Sequence, residues 1–140
     1  MTFDVNKFKN IQQEADRYEK QLSRLKRDSL ETTSIEKAVK EARENLDKKI
    51  NSFIIYGDPQ SGKTEMMIAL TAKLLDEGHK IIIVLLNDHV GLLEQNLRRF
   101  SNSGLDPDPK NYKEIMDEVY KIKDYEWIIF GYDDQGQIGS

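Results

Sequence analysis

The chain contains 140 residues, which is enough for one domain built around a single hydrophobic core. Charged residues make up 33% of it and apolar residues 38%, a balance typical of a folded protein and not of a disordered one. The absence of cysteine excludes disulfides and thiolate metal sites. The longest apolar run, Ile81–Leu86, is far shorter than the roughly 20 residues that span a bilayer, so we expect no membrane contact.

The charge balance and the N-terminus bear on partners and location. The formal net charge of -4 provides no general attraction to nucleic acid, so any such contact requires a local basic surface. The first ten residues mix acidic and basic side chains and lack the apolar stretch of a signal peptide. We therefore expect a cytoplasmic protein.

Apolar residues recur at helical spacing through the first fifty residues. One stripe predicts a helix over residues 4–28, and it consists of Phe8, Ile11, Ala15, Tyr18, Leu22 and Leu25. A second helix is predicted to begin at Thr33, which with Glu36 matches a capping box, and its stripe consists of Ile35, Val39, Ala42, Leu46 and Ile50. Residues 1–50 are therefore predicted to form an amphipathic helical hairpin. Its stripes either pack on each other and on the following domain, or bind a protein partner or a second copy of the chain.

Short apolar runs alternate with amphipathic segments from residue 51 onward. The runs predict strands over residues 53–56, 80–86 and 125–130, and the first two are predicted to be buried on both faces as in a parallel sheet. Residues 101–110, which include Pro107 and Pro109, are predicted to form a loop. This order predicts an α/β fold with three parallel strands over residues 51–140.

Three helices are predicted between these strands. The first covers residues 62–77 and ends at Gly78, with an inward face of Met66, Met67, Leu70 and Leu74. The second extends from Asn87 or Asp88 to Phe100, with an inward face of Leu92, Leu93, Leu97 and Phe100. The third follows Asn111, which with Glu114 provides its cap.

Residues 57–64 match the phosphate-binding P-loop pattern G-x-x-x-x-G-K-[ST] without exception. They lie between a predicted strand and a predicted helix, where loop N–H groups and the helix dipole converge on a phosphate. Lys63 supplies a positive charge for the β- and γ-phosphates, and the Thr64 hydroxyl is placed to bind Mg²⁺. The predicted ligand is ATP or a related nucleotide with Mg²⁺, bound by Gly57, Asp58, Pro59, Gln60, Ser61, Gly62, Lys63 and Thr64.

Hydrolysis also requires an acidic residue that holds Mg²⁺ and a group that orients the attacking water. Asp133 and Asp134 are candidate metal ligands, although two residues separate them from the strand predicted at 125–130. Asp88, at the tip of the strand predicted at 80–86, is a further candidate. Each of these carboxylates is equally compatible with a role as a loop residue or a helix cap.

Residues 53–105 resemble the first part of a superfamily-two helicase ATPase lobe. They are more similar to the helicase-like ATPase modules of bacterial restriction and phage-defence endonucleases, which share the Q-S-G-K-T of residues 60–64, an apolar strand, and H-x-x-L-x-x-Q at His89, Leu92 and Gln95. The resemblance implies a RecA-like P-loop core and ATP-dependent work on DNA, with strand contacts from Gln95, Arg98 and Arg99. Two features depart from the helicase pattern, since Asp88 and His89 replace its Pro-Thr and no D-E-x-H box is present.

The predicted fold is thus a RecA-like P-loop core of three parallel strands with flanking helices over residues 51–140, preceded by the helical hairpin. We expect the core to be truncated, because the last ten residues carry no core pattern and the second lobe of such motors is missing. Binding of ATP without turnover is therefore expected for this chain alone. Two other functions stay open, namely a small nucleoside or nucleotide kinase and a nucleotide-sensing or structural module.

Overall fold

A computed structural model describes residues 16–50, 52–55, 62–86, 90–116 and 125–132. The chain folds as two compact units, which comprise residues 1–76 and 77–140. The described helices of the first unit are α1 (Arg17–Arg27), α2 (Thr33–Asp47) and α3 (Lys63–Asp76). Those of the second unit are α4 (Val90–Asn102) and α5 (Tyr112–Ile115), and its strands are β1 (Ile81–Leu86), β2 (Pro109–Asn111) and β3 (Trp127–Tyr132). No helix in these ranges is long and apolar enough to cross a membrane.

The apolar stripes of α1 and α2 meet on α3. One buried cluster contains Leu22, Leu25, Ile35, Val39 and Ala69. Both helices predicted in the first fifty residues are therefore present over their described part, and their stripes pack within the chain. The first half of the earlier stripe, at residues 4–15, lies outside the described residues. Binding of a partner through these helices, and the domain boundary between residues 50 and 51, stay predictions.

The start of α2 differs from the predicted capping box. Thr32 is the N-cap residue, and its hydroxyl donates a hydrogen bond to the Glu36 carboxylate at 3.0 Å. The N–H of Thr33 instead donates to the Glu31 carboxylate at 2.9 Å. The predicted pairing of Thr33 with Glu36 is wrong, because Thr33 is already the first helical residue and the cap lies one residue earlier. The pKa of Glu31 lies below its ordinary value, chiefly because the Thr33 hydroxyl also donates to it.

Asp76, the last residue of α3, caps the beginning of α1. Its carboxylate accepts the backbone N–H of Arg17 at 3.2 Å and of Tyr18 at 2.9 Å. N–H groups in the first turn of a helix have no acceptor within that helix, so an external carboxylate satisfies them. The Arg17 guanidinium lies 3.8 Å from the same carboxylate. Burial nevertheless raises the pKa of Asp76, because loss of solvent outweighs these favourable partners.

The three strands form one parallel sheet in the order β1-β3-β2. Ile128 in the middle strand pairs with Ile82 on one side and with Pro109 on the other. Ile128 and Phe130 are fully buried, so β3 forms the core of this unit. A parallel sheet with helices before and between its strands confirms the predicted fold class, a RecA-like α/β core preceded by helices.

The sheet includes a strand that the sequence did not predict, and one predicted strand is not observed. Residues 53–55 are not in a strand, and Ile54 is 79% exposed, while Tyr56 lies outside the described residues. An apolar composition alone does not make a strand, because each strand needs a hydrogen-bonded neighbour. The segment Pro109–Asn111, which overlaps the end of the predicted loop, does have such a neighbour in β3. Proline is tolerated there because it is the first residue of an edge strand.

The burial of β1 also differs from prediction. Ile81, Ile83 and Leu85 share one face of the strand and are 43%, 61% and 62% exposed, whereas both faces were predicted to be buried. In the described sheet β1 is an edge strand with a neighbour on one side only. A continuous apolar run therefore does not by itself establish burial on two faces.

The helices bury faces that agree only in part with prediction. On α3 the fully buried residues include Ile68 and Leu75, whereas Met66 is only partly buried. On α4, Phe100 is buried as predicted but Leu92 is 37% exposed. Apolar residues occupy most sides of α3, so spacing alone does not select its inward face. The predicted cap of α5 is confirmed, because the Asn111 side chain accepts the N–H of Lys113 at 3.1 Å.

Candidate nucleotide-binding site

Gly62 lies at the start of α3 in a conformation that favours glycine. Its φ of +77° lies in the left-handed region, where a residue with a Cβ is strained. A Cβ added there would meet nothing within 4 Å, so the backbone conformation and not lack of space favours glycine. The Gly62 carbonyl accepts the first hydrogen bond of the helix, from the N–H of Met66 at 3.0 Å. The rest of the P-loop pattern, residues 57–61, lies outside the described residues.

Lys63 and Thr64 form the first turn of α3, with Lys63 exposed and Thr64 half-buried. N–H groups in a first turn have no carbonyl to bond within the helix, and the positive end of the helix dipole lies there. Together with the Lys63 ammonium, this end of α3 suits an anionic phosphate. The described part of the P-loop pattern therefore has a backbone geometry that suits a phosphate. The binding roles of its residues stay predictions.

An ion pair that the sequence did not predict lies beside this helix end. Arg24 of α1 contacts the Glu65 carboxylate at 2.5 Å, and the two side chains are only 21% and 17% exposed. The Nε of Arg24 also donates to Gln21 at 3.0 Å, and Gln21 is buried. Arg24 and Glu65 are 41 positions apart, and no spacing rule connects two residues so distant in sequence.

The third strand extends further than the sequence suggested. β3 ends at Tyr132, whereas its end was predicted at Phe130. The difference arises because residues 131–132 continue the parallel pairing with residues 85–86 of β1. Glycine is uncommon in strands, so composition alone does not indicate that the strand continues through Gly131. Asp133 therefore follows the strand directly instead of being separated from it.

The carboxyl ends of β1 and β3 lie at the same level, since Leu86 pairs with Tyr132. In α/β proteins ligands bind beyond the carboxyl ends of parallel strands. Three candidate metal ligands, Asp88, Asp133 and Asp134, follow these two strand ends in the sequence and lie outside the described residues. Within the described ranges no group of three acidic or histidine side chains could hold a metal ion.

The predicted DNA contacts Gln95, Arg98 and Arg99 are all exposed on α4. They lie three and four residues apart, a spacing that places side chains on one face of a helix. The buried residues Leu93 and Phe100 mark the opposite face. The structure thus brings these three residues together on an exposed helix surface, and their contact with DNA stays a prediction.

Comparison with known proteins assigns this chain to a family. The chain has no match among curated proteins or among solved structures. The family model for the type III restriction enzyme, res subunit, matches residues 32–137, a range that includes the P-loop pattern, α4 and all three strands. The match extends beyond the residues 53–105 on which the sequence resemblance was based. The chain therefore belongs to the type III restriction enzyme res-subunit family and is a helicase-like P-loop module of superfamily two.

Proposed function

We propose that this module binds ATP with Mg²⁺ at its P-loop and couples the nucleotide to DNA in a restriction or phage-defence system. The observation that carries the proposal is the left-handed Gly62 followed at once by Lys63 and Thr64 in the first turn of α3. A glycine that turns the chain directly before a helix N-terminus is the setting in which loop and helix N–H groups bind a phosphate. Its occurrence in a chain of the res-subunit family favours an ATPase over a kinase.

Each P-loop residue has a proposed role in holding the nucleotide. The backbone N–H groups of residues 57–62, except that Pro59 has none, surround the phosphates, and the Lys63 ammonium binds the β- and γ-phosphate oxygens. The Thr64 hydroxyl is a ligand for Mg²⁺, which neutralises charge on the phosphates when it is bound. Exposure of Lys63 is compatible with this role, because the ammonium is accessible to a ligand from solvent.

Asp133 and Asp134 are the proposed residues that supply the carboxylate with which a P-loop ATPase binds Mg²⁺. The supporting observation is the length of β3, which places Asp133 directly after the last paired residue of a buried central strand. An acid at a strand end is the arrangement that P-loop ATPases use to hold Mg²⁺. Of the two carboxylates, Asp133 lies closer to that strand end in the sequence.

The proposed DNA surface is the face of α4 that contains Gln95, Arg98 and Arg99. Two adjacent arginines suit the phosphate backbone, and a glutamine amide can donate to phosphate or sugar oxygens. The net charge of -4 gives no wider electrostatic support. Binding should therefore be weak and confined to a few phosphate contacts.

Replacing Arg98 and Arg99 together by alanine is expected to abolish the salt dependence of DNA binding. Each phosphate contact releases counterions, so two arginines should give a log-log slope of about -1 to -2 between affinity and salt concentration. Fluorescence anisotropy with labelled DNA at several salt concentrations measures this slope. The matched control replaces Lys37 and Lys40, two exposed lysines of α2, and should leave the slope unchanged.

The same preparations test the proposed function as a whole. ATP binding and phosphate release are measured with Mg²⁺, in the presence and absence of DNA. Saturable ATP binding that persists in the double arginine variant is the expected result. The DNA part of the proposal fails if the chain binds no DNA at low salt, or binds it equally well without the two arginines.

A further inference from the structure

Arg24 and Glu65 connect the N-terminal helix α1 to the beginning of the P-loop helix. The ion pair is largely withdrawn from solvent, and its arginine is also held by the buried Gln21. Such a pair is less screened than one on an open surface, so its charges influence their surroundings more strongly. Glu65 lies two residues after Lys63. The influence of the ion pair therefore acts at the end of α3 where the phosphates are proposed to bind.

A carboxylate at this position opposes nucleotide binding unless it is neutralised. Glu65 lies in the first turn of α3, next to Thr64. Without a ligand, a negative charge there is favourable because it faces the positive end of the helix dipole. A bound nucleotide adds several negative charges at the same helix end, and the negative charge of Glu65 would repel them if Arg24 did not balance it. Arg24 supplies the charge that removes this repulsion.

The packing of α1 on α3 does not depend on Arg24 alone. Leu22 and Leu25 anchor α1 in the buried cluster, and Asp76 binds the first turn of α1 at the other end of α3. Asp76 is eleven residues from Glu65, which corresponds to about 16 Å along an α-helix. The Arg17–Asp76 and Arg24–Glu65 ion pairs therefore join the same two helices, and of these two the Arg24 pair lies at the end of α3 where Lys63 is found.

We infer that Arg24 is a positioning residue for the nucleotide site, which acts by neutralising and holding the Glu65 carboxylate at the start of the P-loop helix. This inference rests on the proposed function, because it concerns the affinity of that site for ATP. Arg24 need not touch the nucleotide for this effect. The N-terminal helix thereby contributes to nucleotide affinity as well as to the core.

The test compares ATP affinity in charge variants of the full chain. Arg24→Gln is expected to weaken Mg²⁺-ATP binding by about threefold to tenfold, and the loss should shrink at high salt because screening weakens the repulsion. Arg24→Lys keeps the charge and should stay within about twofold of wild type. The double variant Arg24→Gln with Glu65→Gln should recover most of the lost affinity, because it also removes the negative charge at residue 65.

Arg17→Gln is the matched control, since it removes the same type of charge from the same helix at the distant ion pair. It should lower the melting temperature without changing ATP affinity. The inference is overturned if Arg24→Gln binds ATP as tightly as wild type, or if the double variant binds as weakly as Arg24→Gln. A wild-type chain that binds no ATP would instead refute the proposed function itself.

Discussion

Lys63→Ala is expected to weaken ATP binding by about 2 kcal/mol, which corresponds to roughly thirtyfold in affinity. Removing the ammonium leaves the phosphate oxygens without their charge-assisted partner, and such contacts are the strongest hydrogen bonds that proteins make. The side chain is exposed, so the substitution should leave the packing of α3 unchanged. Isothermal calorimetry with ATP and Mg²⁺ measures the affinity, and a melting curve verifies that the fold is intact.

A second lysine on the same helix provides the control for this experiment. Lys73 lies about 15 Å from Lys63 along α3. Its ammonium nitrogen lies over the Tyr18 ring, 5.2 Å from the ring centroid. Lys73→Ala removes the same charge far from the P-loop and should leave ATP affinity unchanged. Equal affinities in wild type and Lys63→Ala would show that nucleotide, if bound, does not use the P-loop lysine.

Phe100→Ala is expected to destabilise the second unit by about 3 to 5 kcal/mol, the range for truncating a buried aromatic side chain. Phe100 and Phe130 are both fully buried, and their rings meet edge to face with centroids 4.8 Å apart. Their contact joins α4 to the central strand β3. Urea unfolding monitored by circular dichroism measures the loss of free energy.

Leu92→Ala on the same helix serves as the comparison for this prediction. Leu92 is 37% exposed, so its truncation should cost less than about 1 kcal/mol. A loss of less than 1 kcal/mol for Phe100→Ala as well would contradict the packing of α4 on β3.

Much of the fold could be predicted from local patterns in the sequence. The stripe that includes Leu22 and Leu25, the glycine stop at Gly78 and the side-chain cap at Asn111 each depend on residues close together in the chain. The P-loop pattern is equally local, and Gly62 shows the backbone conformation expected at its final glycine.

The features that the sequence did not predict depend on contacts between distant segments. The short strand β2 exists because it pairs with β3, about twenty residues later, and β3 extends to Tyr132 because β1 continues beside it. The Arg24 and Glu65 pair likewise connects two helices that are far apart in the chain. Neither composition nor periodicity specifies such partners, so the strand ends and this part of the candidate site became visible only in the structure.

Amide chemical shifts recorded during a titration with ATP and Mg²⁺ would test most directly whether the nucleotide binds at the P-loop. The chain has a mass of 16.3 kDa, which suits this measurement. We expect saturable shifts that are largest for the N–H groups of residues 57–65 other than Pro59, because the loop and the first turn of α3 are proposed to hold the phosphates. The absence of saturable shifts, or shifts confined to other residues while residues 57–65 are unchanged, would contradict nucleotide binding at this site.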